Sequence, residues 1–248
     1  MGVLGQSLAP RRRALVAAAV RGAARSARSA RAATFAAAQR AASTHSRGWY
    51  EKYRREGPEG FRVGTAPAPF DFDAAPAEVA AARSRCFFDV AVDGEAAGRI
   101  ELELLDELLP ETCENFRLLC GDGAPSGFGY AGANLARRVV KGVGLLGGVV
   151  DAPGGSHSAF AERRVFADEG FFVPHAEPGL LSMANAGVDT NGSQFYLTTA
   201  AAPHMDGRCV AFGRVAAGLD VVQTLADTLY TQRGVPVENV EIAACGTL

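Results

Sequence analysis

Residues 182–200 read SMANAGVDTNGSQFYLTTA, a crowd of small and amide side chains that ends as a strand. Asn185, Asn191 and Gln194 stand just ahead of Phe195, Tyr196 and Leu197. Small residues let another backbone come close, and carboxamides carry donors and acceptors together. The stretch has the make-up of a surface that holds an extended peptide.

The segments on either side set the architecture. Towards the N-terminus, FFDVAVDGEAAGRIELEL predicts two strands about a turn at Asp93-Gly94, with alternation clearest from Arg99 to Leu104. LLPETCENFRLLCGDG predicts a helix: Pro110 suits its first turn, Cys113, Phe116 and Cys120 share a face, and Gly121 can end it. RRVVKGVGLLGGVV reads as strand, turn, strand, and residues 151–178 show no clean period, as expected of a long loop with short structured pieces. Towards the C-terminus, QFYLTT and CVAFGRV read as strands around an Asp206-Gly207 turn. Leu219, Val222, Leu225 and Leu229 then mark one helix face, and ENVEIAACG is a last strand. Many strands with only an early and a late helix argue against a doubly wound parallel sheet. The expected fold is mainly β, an antiparallel barrel capped by helices.

Hydrophobic residues make up 48% of the 248 and charged residues 21%, an ordinary balance for a folded soluble protein. The net charge of -2 hides a split: residues 1–50 hold nine arginines and no acid, whereas residues 51–248 hold 16 basic against 27 acidic groups. Rich in Ala, Arg and Ser, residues 1–47 have the composition of an organelle transit peptide, with Arg21, Arg25 and Arg28 at helical spacing. A mitochondrial address, matrix or matrix-facing, fits this leader. A plastid or twin-arginine route and an uncleaved basic tail are the competing readings. No run is long enough to span a bilayer as a helix, and an integral membrane protein is not expected. The basic residues concentrate in the leader, which leaves the body without the footprint of a nucleic-acid binder.

Residues 48–85 read as a linker or extension. Trp49, Tyr50 and Tyr53 supply an aromatic anchor for a partner such as a large mitochondrial complex, or for the domain itself, and a short helical patch follows near Glu78. The five cysteines form no close pair and no zinc set, and scattered free thiols suit a reducing compartment.

Residues 86–248 resemble the cyclophilins, the peptidyl-prolyl isomerases that bind cyclosporin. The likeness rests on FFDVAVDGEAAGRIELEL, PETCENFRLL, VVKG with LLGG, SMANAG with TNGSQF, DGRCVAFGRV and VENVEIAACGTL. It implies a closed antiparallel eight-stranded barrel capped by two helices, and an activity that rotates X-Pro bonds without nucleophile, metal or cofactor. It also implies roles. Arg138 and Gln194 are the catalytic candidates. Substrate-binding positions fall on Val143, Leu146, Ala184, Asn185, Ala186, Tyr196, His204, Met205 and Cys209. Arg137 competes with Arg138, since counting forward from Gly129-Tyr130 reaches the former and counting back from Gly147-Gly148 the latter; the nearer spacing selects Arg138 and leaves Arg137 as solvated surface.

The pocket departs from the family pattern. Val143 and Gly144 stand where Phe-Met is usual, Leu146 replaces Gln and Tyr196 replaces Phe, while His204 and Met205 replace Trp-Leu and Cys209 replaces His. Two expectations follow: an organellar folding helper with weakened isomerase activity, or an inactive, proline-peptide-binding or structural subunit of a larger mitochondrial complex.

Overall fold

A computed structural model of the protein describes residues 70–121, 124–229 and 231–248. The leader and the Trp49 segment lie outside the described residues. In chain order the elements are α1 (Ala77–Ala80), β1 (Arg85–Val92), β2 (Glu95–Leu104), α2 (Pro110–Cys120), β3 (Arg138–Val140), β4 (Gly144–Gly147), β5 (Leu180–Met183), β6 (Phe195–Thr198), β7 (Ala211–Ala217), α3 (Leu219–Thr228), β8 (Thr231–Gln232), β9 (Val235–Pro236) and β10 (Val240–Thr247). Short 3-10 turns occupy Pro153–Gly155 and Pro203–Met205.

Eight strands form one antiparallel sheet in the order β10-β1-β2-β7-β5-β6-β4-β3. The expected turn at Asp93-Gly94 joins β1 to β2, both residues having positive φ, 49° and 85°, as a tight two-residue hairpin requires. The ladder does not run round into a ring. Between its two ends, β10 and β3, the segment 132–135 spans a seam, with bridges from Asn134 to Val149 and Glu241 and backbone hydrogen bonds linking Gly132, Ala133 and Leu135 to Ile242 and Val240 of β10. The sheet is therefore a half-barrel with a bridged seam, and no continuous ladder closes it among the described residues. QFYLTT and CVAFGRV are also not a hairpin: β5 lies between β6 and β7 and pairs with both.

Both expected helices are present. Pro110 begins α2, and Cys113, Phe116 and Cys120 are buried on its inner face. The residue before this helix, Leu109, has no side-chain oxygen with which to cap it, and a distant carboxylate does so instead. Glu169 accepts hydrogen bonds from the Glu111 and Thr112 backbone N–H groups at 3.0 and 2.9 Å. Between helix and sheet sits an aromatic cluster of Phe88, Phe116, Tyr130, Phe195 and Phe212. Its ring centroids lie 5.1 to 5.8 Å apart in mostly tilted and edge-on contacts, the geometry that aromatic quadrupoles favour. The buried Tyr130 hydroxyl donates to Ser193 O at 2.7 Å and so fastens the segment before β6 to the core.

Residues 70–84, within the segment read as linker, pack onto the sheet. Phe72 is buried with Leu105, Val173, Leu180 and Ala211 in a second small core. Arg83 fastens the strap: its guanidinium donates to Glu103 at 2.7 Å, to Glu107 at 2.7 and 2.9 Å, and to the Phe72 carbonyl at 2.8 Å. Arg214 adds bonds to Glu103 and Asp73 and lies over the Phe72 ring. Burial alone would raise the Glu103 pKa, but the bonds from Arg83 and Arg214 outweigh it and hold the carboxyl below its ordinary value.

Because Arg83 is the buried partner of two carboxylates, Arg83→Ala is expected to destabilise the protein by about 3 kcal/mol, read by urea denaturation. The depressed Glu103 pKa fixes the sign of a pH effect. Its stabilisation is fully present above the unfolded carboxylate pKa and is lost as pH falls through the lower folded value, so the mutant and wild-type stabilities should converge in acid.

Candidate active-site groove

The outer face of β3, β4, β6 and β5 is built by register. Arg138 lies opposite Leu146, Leu146 opposite Tyr196, and Tyr196 opposite Ser182. Directly opposed residues share a face, and each neighbour along a strand takes the other. The alternate row, Val139, Leu145, Leu197 and Leu181, points into the core, and its three leucines are fully buried. Arg138 is exposed, while Leu146 and Tyr196 are half-buried. The Arg138 charge is close enough to pull on the Tyr196 hydroxyl, whose pKa burial nevertheless raises. Arg138, Leu146 and Tyr196 thus form one continuous strip.

A cleft of about 580 Å³ adjoins this strip, lined by Arg137, Arg138, Leu146, Gly154, Gln194 and Val235. The Gln194 side chain donates to Gly155 O at 3.0 Å, which pins its carboxamide at the cleft wall. Arg137 lies before β3 begins, so strand alternation does not turn it away, and it reaches the same cleft as its neighbour. Arg137 is exposed, as expected of solvated surface, and it also lines the cleft, which only the chain direction ahead of β3 reveals.

On the other side of the strip lies the wall formed by Ala184, Asn185 and Ala186. Asn185 does not offer its side chain to a ligand: the amide donates to Arg208 O at 2.6 Å and its oxygen accepts from Gly187 N–H at 3.3 Å. These bonds hold a tight loop. The Asn185 backbone N–H and carbonyl find no partner among the described residues, and beside the small Ala184 and Ala186 they form an edge to which an extended peptide can hydrogen-bond. Asn191 is fully buried and donates to Ala167 O and Asp168, a structural role.

The apolar end of the groove is closed in on itself. Val143 and Met205 are 4% and 5% exposed and pack with Ala202, while Tyr196, Val140 and Cys209 lean on them. Gly144 explains part of this. Its φ is +146°, and a Cβ there would collide with the Leu197 carbonyl oxygen, so β4 approaches β6 where a side chain would otherwise stand. His204 is exposed on the turn Pro203–Met205, at the rim. Burial pushes the Cys209 thiol up to about 11.

A buried polar chain outside the expected set supports this end. His175 Nδ1 and backbone N–H both donate to Asp206 at 2.9 and 2.7 Å, and its Nε2 meets Ser182 Oγ at 2.9 Å. It joins β5, opposite Tyr196, to the turn that presents Met205. No local period marks His175 in the sequence, because its partners come from distant segments. The family model for cyclophilin type peptidyl-prolyl cis-trans isomerase/CLD matches residues 87–247.

Two outcomes check this geometry. Gly144→Met, which writes the usual family residue back, should cost more than about 3 kcal/mol and give no gain in peptide binding, because the new side chain meets backbone rather than space. Cys209, with so little thiolate at neutral pH, should be alkylated by iodoacetamide at least about tenfold more slowly in the folded protein than in urea.

Proposed function

The chain belongs to the cyclophilin-type peptidyl-prolyl cis-trans isomerases, a family whose domain binds proline-containing peptides, and we propose that it is a weakened catalyst of X-Pro rotation assisting protein folding in an organelle. The carrying observation is the strip of Arg138, Leu146 and Tyr196, with Gln194 at its edge.

The barrier to X-Pro rotation comes from amide resonance and amounts to roughly 18 to 20 kcal/mol. A catalyst need only favour the twisted state. The unpaired edge at Asn185 and the Gln194 carboxamide hold the peptide backbone. Leu146 and the Tyr196 ring cover the proline. The Arg138 guanidinium donates to the substrate and stabilises the state in which the prolyl nitrogen has lost conjugation, a preorganised electrostatic contribution. None of these roles moves a proton or needs a bound metal.

Weakness follows from the apolar end. With Val143 and Met205 already covered and no side chain at Gly144, the proline ring loses contacts worth about 2 to 4 kcal/mol. At 1.36 kcal/mol per factor of ten, that is a rate lower by one to three orders of magnitude. The basic leader of residues 1–47 supports a mitochondrial destination, and import of the full chain into isolated mitochondria with loss of the leader tests it.

The full chain should accelerate cis-trans exchange in a short Ala-Pro peptide, followed by NMR exchange spectroscopy. Arg138→Ala should lower kcat/KM at least about tenfold without loss of folding. No acceleration by the wild-type chain contradicts the catalytic reading. The covered Val143 and Met205 also favour a second one: a non-catalytic subunit of a large mitochondrial complex, held through the extension of residues 48–85. Stable co-migration with such a complex on native gels supports it, and a free small monomer counts against it.

A further inference from the structure

Two groups of arginines in the body differ in their surroundings. Arg83, Arg85, Arg99, Arg117, Arg163 and Arg214 each lie beside a carboxylate. The side chains of Arg137 and Arg138 have no ion pair or hydrogen bond to any described residue, yet the two are adjacent and both line the cleft. No acidic side chain lines it with them.

A third cation is close. At the turn Pro153–Gly155, Gly154 and Gly155 have positive φ, 78° and 70°, and the missing side chains make room for charge. The Arg164 guanidinium occupies the space a Cβ of Gly154 would need. A Cβ at Gly155 would lie 3.4 Å from Arg137 Nη1 and 3.9 Å from Gln194 Nε2. Two guanidiniums and an amide donor thus converge around two glycines, with Arg138 on the far wall, where its stem packs against Gly234 of the hairpin between β8 and β9.

This concentration is unexpected on a body with 27 acidic and 16 basic groups in residues 51–248. Arg137 and Arg138, side by side with no acid in the cleft lining, repel each other, and a concave wall of protein focuses their field into the cleft. An anion entering there relieves the repulsion and gains bidentate hydrogen bonds. The catalytic role proposed above uses only Arg138, which leaves Arg137 without an assigned role.

We infer that the groove selects proline peptides carrying an anionic side chain beside the proline, a carboxylate or a phosphate, and that Arg137 is the selecting residue. This rests on the groove being the peptide site. The anion would lie in the cleft between Arg137, Arg138 and Gln194 while the proline covers Leu146 and Tyr196.

The test is binding, so it does not depend on catalysis. Peptides identical except for Gln, Glu or phosphoserine, placed immediately before or two residues after the proline, are titrated into the full chain by calorimetry at low and high salt. At least one Glu or phosphoserine peptide should bind about fivefold or more tightly than its Gln counterpart at low salt, with the ratio shrinking at high salt. Which of the two is tighter identifies the source of the charge. Arg137→Gln, an exposed position, should bring the ratio near one while binding of the Gln peptide holds. Equal binding of all peptides, or a preference untouched by Arg137→Gln, overturns the inference alone. Failure of every peptide to bind overturns the groove assignment with it.

Discussion

The register of four short strands is the constraint on which the site depends. In β3, β4, β6 and β5 one row of opposed residues, Val139, Leu145, Leu197 and Leu181, faces the core, and the next, Arg138, Leu146, Tyr196 and Ser182, faces the other way. A slip of one residue in any strand would carry a core-facing Val139 or leucine outward and turn the other row inward, at a cost of roughly 1.5 to 3 kcal/mol for each large apolar side chain exposed. The core therefore holds the groove in place. Glycines carry the same constraint further: Gly144 lets β4 approach β6, and the turn at Gly154-Gly155 brings Arg137 and Gln194 together.

The groove has two unlike ends. At one, Val143 and Met205 are packed among their own neighbours and offer a ligand little surface; at the other, two arginines and an amide face an open cleft. The buried chain from Ser182 through His175 to Asp206 ties the apolar end to β5, so the closed packing there is fixed from beneath by hydrogen bonds as well as by contact.

Much of this was legible in the residues. The Asp93-Gly94 turn and the Pro110 helix start each follow from local backbone preference, and β2 follows from alternation between exposed and buried positions. The strand β5 escaped notice because all four of its residues are buried, which erases the alternation that marks a strand. The strap at residues 70–84 looked like linker because its prolines and alanines carry little pattern, and its attachment rests on two side chains, Phe72 and Arg83, whose partners are far away in sequence. Within the site, resemblance pointed to Arg138, Gln194 and the Ala184–Ala186 wall. It could not reveal that Asn185 contributes backbone rather than carboxamide, nor that Arg137 shares the cleft, because both depend on how a loop enters or leaves a strand.

The central claim is that a proline peptide lies along the strip from Asn185 to Arg138. Its most direct test is titration of the isotope-labelled full chain with a neutral Ala-Pro peptide, following backbone amide shifts. The account requires the largest shifts at residues 184–186 and 194–196 and at Arg138 and Leu146, with the strap at residues 70–84 unmoved. Shifts confined to another face, or none at saturating peptide, would contradict it.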